Sequence, residues 1–187
     1  LMQLDSRKHV SGKSGAIQEA VAETIENNVR KLIINESPVD PAYYDKMSKL
    51  LDTLIELRRK GAVSYKEYLE RITKLTRETA MPGGGSDGYP EGVRTAAQRA
   101  LYNNLSRDEG LALAVDAAIQ SARMDGWRDN TMKTKKVRLA IRATLAMAKD
   151  TQPAETSQLR QDMARDDYPL EALTGVILDL AKHQSDY

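Results

Sequence analysis

The chain of 187 residues has no cysteine, no phenylalanine, two histidines and one tryptophan. Without cysteine there is no disulfide, no thiolate zinc site and no cysteine nucleophile. His9 and His183 lie near opposite ends, which argues against a histidine-built metal site or a Ser-His-Asp triad. No apolar run approaches the roughly 20 residues of a membrane span, and no signal-peptide core is present. An excess of one charge is missing as well. The 28 Lys and Arg face 27 Asp and Glu, a net of +1, so the total points to no polyanion partner. No segment alternates convincingly with period two between turns, which argues against a sheet, and no internal repeat is found. The chain opens on Leu1 rather than Met, as a piece of a longer protein would. At this length a chain can bury roughly 70% of its unfolded surface and needs no covalent staple.

The pattern that remains is helical almost throughout, an all-α fold of about six to eight helices. After a polar stretch with Gly12 and Gly15, expected as a flexible arm over 1–15, a first helix is predicted over 16–35. Ile17, Val21, Ile25, Val29, Leu32 and Ile33 recur on one of its faces. Pro38 and Pro41 stop it, while Asp40 as N-cap and Pro41 at the first helical position open a second helix to about Lys60. Gly61 suits its C-terminal cap. Ser64 and Glu67 make an S-x-x-E capping box for a third helix to about Glu78, giving an antiparallel hairpin. Residues 81–92 read MPGGGSDGYPEG. Five glycines and two prolines in twelve residues hold neither helix nor strand, so this is the linker between helical subdomains 16–80 and 93–187. The second subdomain is read as a short helix from Val93, a helix to Met124 opened by a Ser106–Glu109 capping box, and a Trp127 turn. A helix over 131–149 follows, then a loop over 151–157 and two final helices over 157–166 and 169–182.

The balanced total conceals an uneven distribution. Residues 1–122 are neutral, residues 123–149 carry a net +6 and residues 150–187 a net −5. On the 131–149 helix, Lys135, Arg138, Arg142 and Lys149 share one stripe at about 100° per residue. Val137, Ala140, Thr144, Ile141 and Ala148 share another, with Leu145 at its edge. The candidate contact residues are Lys133, Lys135, Lys136, Arg138 and Arg142, for phosphate or for an acidic partner surface. The competing reading is a solvated face neutralised by the acidic stretch that follows.

Other motifs carry less. Ser11-Gly12-Lys13-Ser14 matches the end of a P-loop, but the position five residues before Gly12 is Arg7 and no strand precedes it. Asp108-Glu109 and Asp166-Asp167 are neighbours pointing to different sides of a helix, so neither pair is preset for acid–base work. Trp127 covers a core edge or offers a stacking platform. Tyr43, Tyr44, Tyr65, Tyr68, Tyr102 and Tyr168 accompany apolar stripes and are assigned to the core. No nucleophile–base–orienter set emerges, and no metal or cofactor site is expected.

Several blocks together resemble one family. They are NNVRKLIINE (27–36), PVDPAYYDKMSKLL (38–51), ELRR (56–59), SYKEYL (64–69), ALYNNL (100–105), MKTKKVR (132–138) and AKHQSDY (181–187). They resemble the C-terminal helical region of the restriction (R) subunit of type I restriction-modification enzymes, over roughly residues 20–145 and the last segment. The first two blocks are the most specific, and residues 149–169 lie outside the likeness. The resemblance implies a cytoplasmic parent protein, a type I site-specific deoxyribonuclease. Such a parent has a nuclease domain and two RecA-like motors that translocate duplex DNA with ATP and magnesium. Its helical region docks on the methyltransferase and specificity subunits. The nuclease and motor motifs are absent here, so the fragment itself is expected to be catalytically silent and cofactor-free. Direct contact with duplex DNA through the basic helix stands as the second reading.

Overall fold

The computed structural model describes residues 5–81, 88–150, 158–165 and 167–187. It is all-α, with eight helices and no strand among the described residues. They are α1 (Asp5–Glu36), α2 (Pro41–Arg59), α3 (Tyr65–Ala80), α4 (Ala96–Asn104), α5 (Glu109–Ala122), α6 (Thr131–Asp150), α7 (Gln158–Met163) and α8 (Leu170–His183). None of the described helices is long and apolar enough to cross a membrane. The chain divides into two compact units, Leu1–Asn35 with Tyr44–Gly85, and Glu36–Tyr43 with Ser86–Tyr187. The segment 36–43 thus belongs with the C-terminal helices, which the expected division at the linker did not separate out. Residues 82–87 of that linker lie outside the described residues, as does the 151–157 loop.

The first unit is a three-helix arrangement of α1, α2 and α3. The backbone of α1 starts at Asp5, so residues 5–15 are helical and not the loose arm their composition led us to expect. A glycine costs only about 1 kcal/mol in a helix interior, and extending a nucleated helix avoids the cost of a new nucleus. The buried line of α1 also differs from the expected one. Ala22, Glu26, Val29 and Ile33 face inward, while Ile17 and Val21 stand exposed. Residues spaced strictly by four drift about 40° per step around a helix. The line 17–21–25 therefore spirals off the core, whereas 22–26–29–33 stays on it. At the end of α2, Gly61 takes φ +65. Its N–H donates to the Arg58 carbonyl, and that of Ala62 to Leu57, closing a Schellman-type cap. Ser64 accepts the Glu67 N–H at 3.2 Å, but the Glu67 carboxylate turns to Arg71 at 2.6 Å. Only half of the expected capping box therefore forms.

The second unit has one continuous apolar core. Its contents include Leu101 and Leu105, Leu111, Val115 and Ile119, Val137, Ile141 and Leu145, and Ile177 and Leu180. Helix α6 packs on both α5 and α8, and α4 packs on both α5 and α8. Leu145, expected at the edge of the α6 core stripe, is fully buried with Val137 and Ile141. Two helix starts differ from the sequence reading. Thr95 and Gln98 form a full capping box for α4. Asp108, not Ser106, caps α5, accepting the Leu111 N–H at 2.8 Å. Ser106 and Arg107 both adopt positive φ, a turn that carries the chain past Ser106 before the helix can begin. Asp108 is also gripped in two-pronged fashion by Arg160 at 2.6 and 3.0 Å, which ties α7 to the start of α5.

Candidate docking surface on α6

Asn130 starts α6. Its side chain accepts the Lys133 N–H at 3.0 Å, and its carbonyl accepts the Thr134 N–H at 2.8 Å. The preceding turn is anchored by Trp127, which is buried in the core and donates its indole N–H to the Tyr187 carbonyl at 3.1 Å. Trp127 therefore serves the core and not an exposed stacking platform. Arg128 lies over the Trp127 ring and donates to the carbonyls of Lys182 and Gln184 at 2.9 and 2.6 Å. One rotational setting of α6 follows from these bonds, with Val137, Ile141 and Leu145 at the core.

The five candidate cations do not form one patch. Lys135, Arg138 and Arg142 line an open groove between α6 and α8, together with Leu139, Glu171, Leu178 and Lys182. Lys133 instead donates to the Asp125 carbonyl at 2.6 Å, and Lys136 lies beside the Met124 sulfur at 4.0 Å. Lys149, the fourth member of the expected stripe, donates to the Arg165 carbonyl at 3.1 Å. Glu171 of α8 is held by both Arg138 and Arg142, the latter at 3.1 Å. All three side chains are about half exposed, so this pairing is solvent-screened and weak. Among the described residues Lys135 has no ion-pair partner. The acidic stretch thus neutralises part of the basic face through Glu171, and Lys182 of the groove is paired with Asp179 of its own helix at 3.6 Å. Lys182 joins the groove from far along the chain; only its place in the AKHQSDY block singled it out.

A stripe that the sequence reading passed over runs along the outer side of α6. Met132 is 71% and Leu139 54% exposed, and Ala143 is exposed with them. At 100° per residue these three lie within about 40° of one another and opposite Ile141. The helix is therefore apolar on two opposite sides, with Lys135 and Arg142 along one margin of the outer stripe and Lys136 along the other.

Two buried polar centres elsewhere were also missed. In the first unit, Arg58 donates to both oxygens of Glu26 at 2.9 and 3.3 Å and to Glu19. The Tyr68 hydroxyl donates to Glu26 at 3.0 Å, and the Arg58 guanidinium lies 5.5 Å from the Tyr68 ring centroid. Burial and the neighbouring Glu26 carboxylate hold the Tyr68 hydroxyl well above the ordinary tyrosine range. Burial works against the Arg58 charge, but its bonds to Glu19 and Glu26 outweigh it and strengthen the guanidinium's hold on its proton.

In the second unit, Asp40 is only 5% exposed. It caps α2 by accepting the Tyr43 N–H at 3.2 Å, and it accepts from the Asn103 and Asn104 amides at 2.6 and 2.8 Å. Asn103 also donates to the Tyr89 hydroxyl at 3.0 Å. Gln184 donates to the Val39 carbonyl at 2.6 Å, and Asp186 accepts the Ala97 N–H at 3.0 Å. Burial pushes the Asp40 carboxyl up to about 6, against the pull of its Asn103, Tyr43 and Asn104 hydrogen bonds. The PVD, ALYNN and AKHQSDY blocks meet in this knot. Among the described residues no buried side-chain polar atom is left without a partner. Both centres are thus internally satisfied and read as structural. No family model, curated protein or solved structure matches the chain.

Proposed function

We propose that this chain is a helical assembly module from the R subunit of a type I restriction enzyme. In that reading it docks the subunit on its methyltransferase and specificity partners and performs no chemistry itself. The parent is then a cytoplasmic, ATP- and magnesium-dependent translocase and endonuclease whose nuclease and motor domains belong to other parts of its chain. The resemblance of the blocks at 27–51 motivates the family. The observation that carries the docking role is the α6–α8 surface, where Lys135, Arg138, Arg142 and Lys182 line one groove with Glu171 beside an exposed apolar stripe. Interfaces of this kind combine an apolar centre with a charged rim.

A capture experiment tests it. The tagged chain is expected to retain the methyltransferase–specificity complex from the same source at physiological salt. Failure to retain it sinks the assembly role, and ATP hydrolysis or DNA cleavage by the purified chain would overturn the silent one. The cation-lined groove also keeps the duplex-DNA reading in play. That reading requires duplex binding which weakens steeply as salt rises, because phosphate contacts release counterions.

A further inference from the structure

We propose that the α6–α8 groove and the adjoining Met132–Leu139–Ala143 stripe receive an acidic amphipathic helix of the partner, and that Glu171 occupies the place of one partner carboxylate until docking. This inference rests on the assembly reading and specifies its surface. Three observations converge on the occupant. Met132, Leu139 and Ala143 leave an exposed apolar stripe on the outer side of α6, where a solvated helix would be polar. One margin carries Lys135 and Arg142, with Lys182 across the groove, so a helix laid along it meets cations on that side. Glu171 shows the chemistry the groove accepts: a single carboxylate bridges two guanidinium groups one helical turn apart.

The same features disfavour the other occupants. A phosphate backbone would leave Met132 and Leu139 dehydrated against charge, with no apolar surface to meet them. A second copy of this chain packed face to face would set Lys135 and Arg142 against their own counterparts. A partner helix with Leu or Ile on one stripe and Asp or Glu along its edge satisfies both elements at once, in the helix-in-groove mode.

The absence of native cysteine makes the test direct. An Ala143→Cys chain carries one environment-sensitive fluorophore on the stripe and is titrated with the methyltransferase–specificity complex. A saturable blue shift is expected. A paired Met132→Glu, Leu139→Glu substitution in the unlabelled chain should weaken binding at least tenfold with an unchanged far-UV circular dichroism spectrum. Glu171→Gln should tighten binding severalfold, because it releases Arg138 and Arg142, and a gain cannot come from misfolding. If the complex is captured but the fluorophore is silent and all variants bind as wild type does, this surface is wrong while the assembly role survives. If the wild-type chain captures nothing, the assembly role falls and takes this inference with it. A blue shift produced by duplex DNA alone, or by raising the chain's own concentration, would also overturn it.

Discussion

One arginine–glutamate set in each unit uses the same pair of residue types in opposite ways. In the first, Arg58 and Glu26 are almost wholly buried, with side chains 8% and 6% exposed. In the second, Arg138, Arg142 and Glu171 sit at the surface, each about half exposed. The buried pair is extended by Tyr68, which donates to Glu26, and by Glu19, which accepts from Arg58. The exposed set is left open on the solvent side. A buried ion pair adds little net stability but becomes very costly when halved, because one charge is stranded. An exposed pair can be opened at small cost. Charge in the first unit therefore specifies how α1, α2 and α3 fit together, whereas charge on α6 and α8 remains free to change partners.

The sharpest way to break this comparison is to halve the buried pair. Arg58→Met should destabilise the protein by about 3–5 kcal/mol, while Glu26→Leu with Arg58→Met should recover most of that loss. Chemical unfolding followed by far-UV circular dichroism measures both. A single substitution costing under about 1 kcal/mol would mean that the Glu26 charge finds water, and that the two ion-pair environments differ less than their exposure implies. Trp127, the only tryptophan, reports on the second unit through its fluorescence and shows whether that unit is affected at all.

Helix α6 of the second unit depends on apolar packing instead. Ile141→Ala removes a fully buried side chain at the centre of α6 and should cost about 2–4 kcal/mol, by lost burial and a residual cavity. Both circular dichroism and the Trp127 signal should record it. A loss near zero would place the anchoring of α6 in its polar contacts with the 127–130 turn.

How much of this was legible follows from the same contrast. The helices of the second unit could be read because their inward residues are apolar, even though Thr95 and Asp108, and not Ser106, cap α4 and α5. The inward face of α1 could not, because two of its core positions are Ala22 and Glu26. A buried glutamate is recognisable only once Arg58 and Tyr68, 32 and 42 residues away, are seen to face it. Asp40 was legible as a cap but not as the centre of a knot with Asn103, Asn104 and Tyr89, since no local rule pairs residues that far apart. On α6 the cations drew attention by their charge, and the exposed stripe of Met132, Leu139 and Ala143 passed for ordinary helix surface. The division of the cations between a groove and its surroundings depends on α8, which periodicity on α6 alone cannot supply.

Asp40 offers an intermediate case, a buried charge held by neutral donors. Asp40→Ala removes the α2 cap and takes one of the two acceptors from each of the Asn103 and Asn104 amides. A loss of about 2 kcal/mol is expected, measured by chemical unfolding at pH 7. The pH response has a definite sign. The carboxyl titrates near 6 when folded, against an ordinary value of 3.8, so the native state binds the proton more tightly. Its contribution is fully present below about pH 4 and is lost as pH rises through 6. Relative to Asp40→Asn, which does not titrate, the wild-type protein should therefore gain stability as pH falls from 7 to 4. An equal response of the two proteins across that window would show that Asp40 is not desolvated as its burial requires.

The smallest expected effect is the one that matters most for docking. Glu171→Gln should change unfolding stability by roughly 0–1 kcal/mol, since the pairs it abolishes are half exposed and screened. The measurement is the same unfolding experiment used for Arg58→Met, so the two glutamate–arginine sets are compared on one scale. A loss as large as the one expected in the first unit would mean that Glu171 locks α8 onto α6, and the groove would then be a closed structural joint. A negligible loss leaves Arg138 and Arg142 available at almost no cost to the fold, the condition that a surface must meet if its intramolecular carboxylate is to give way to one from another chain.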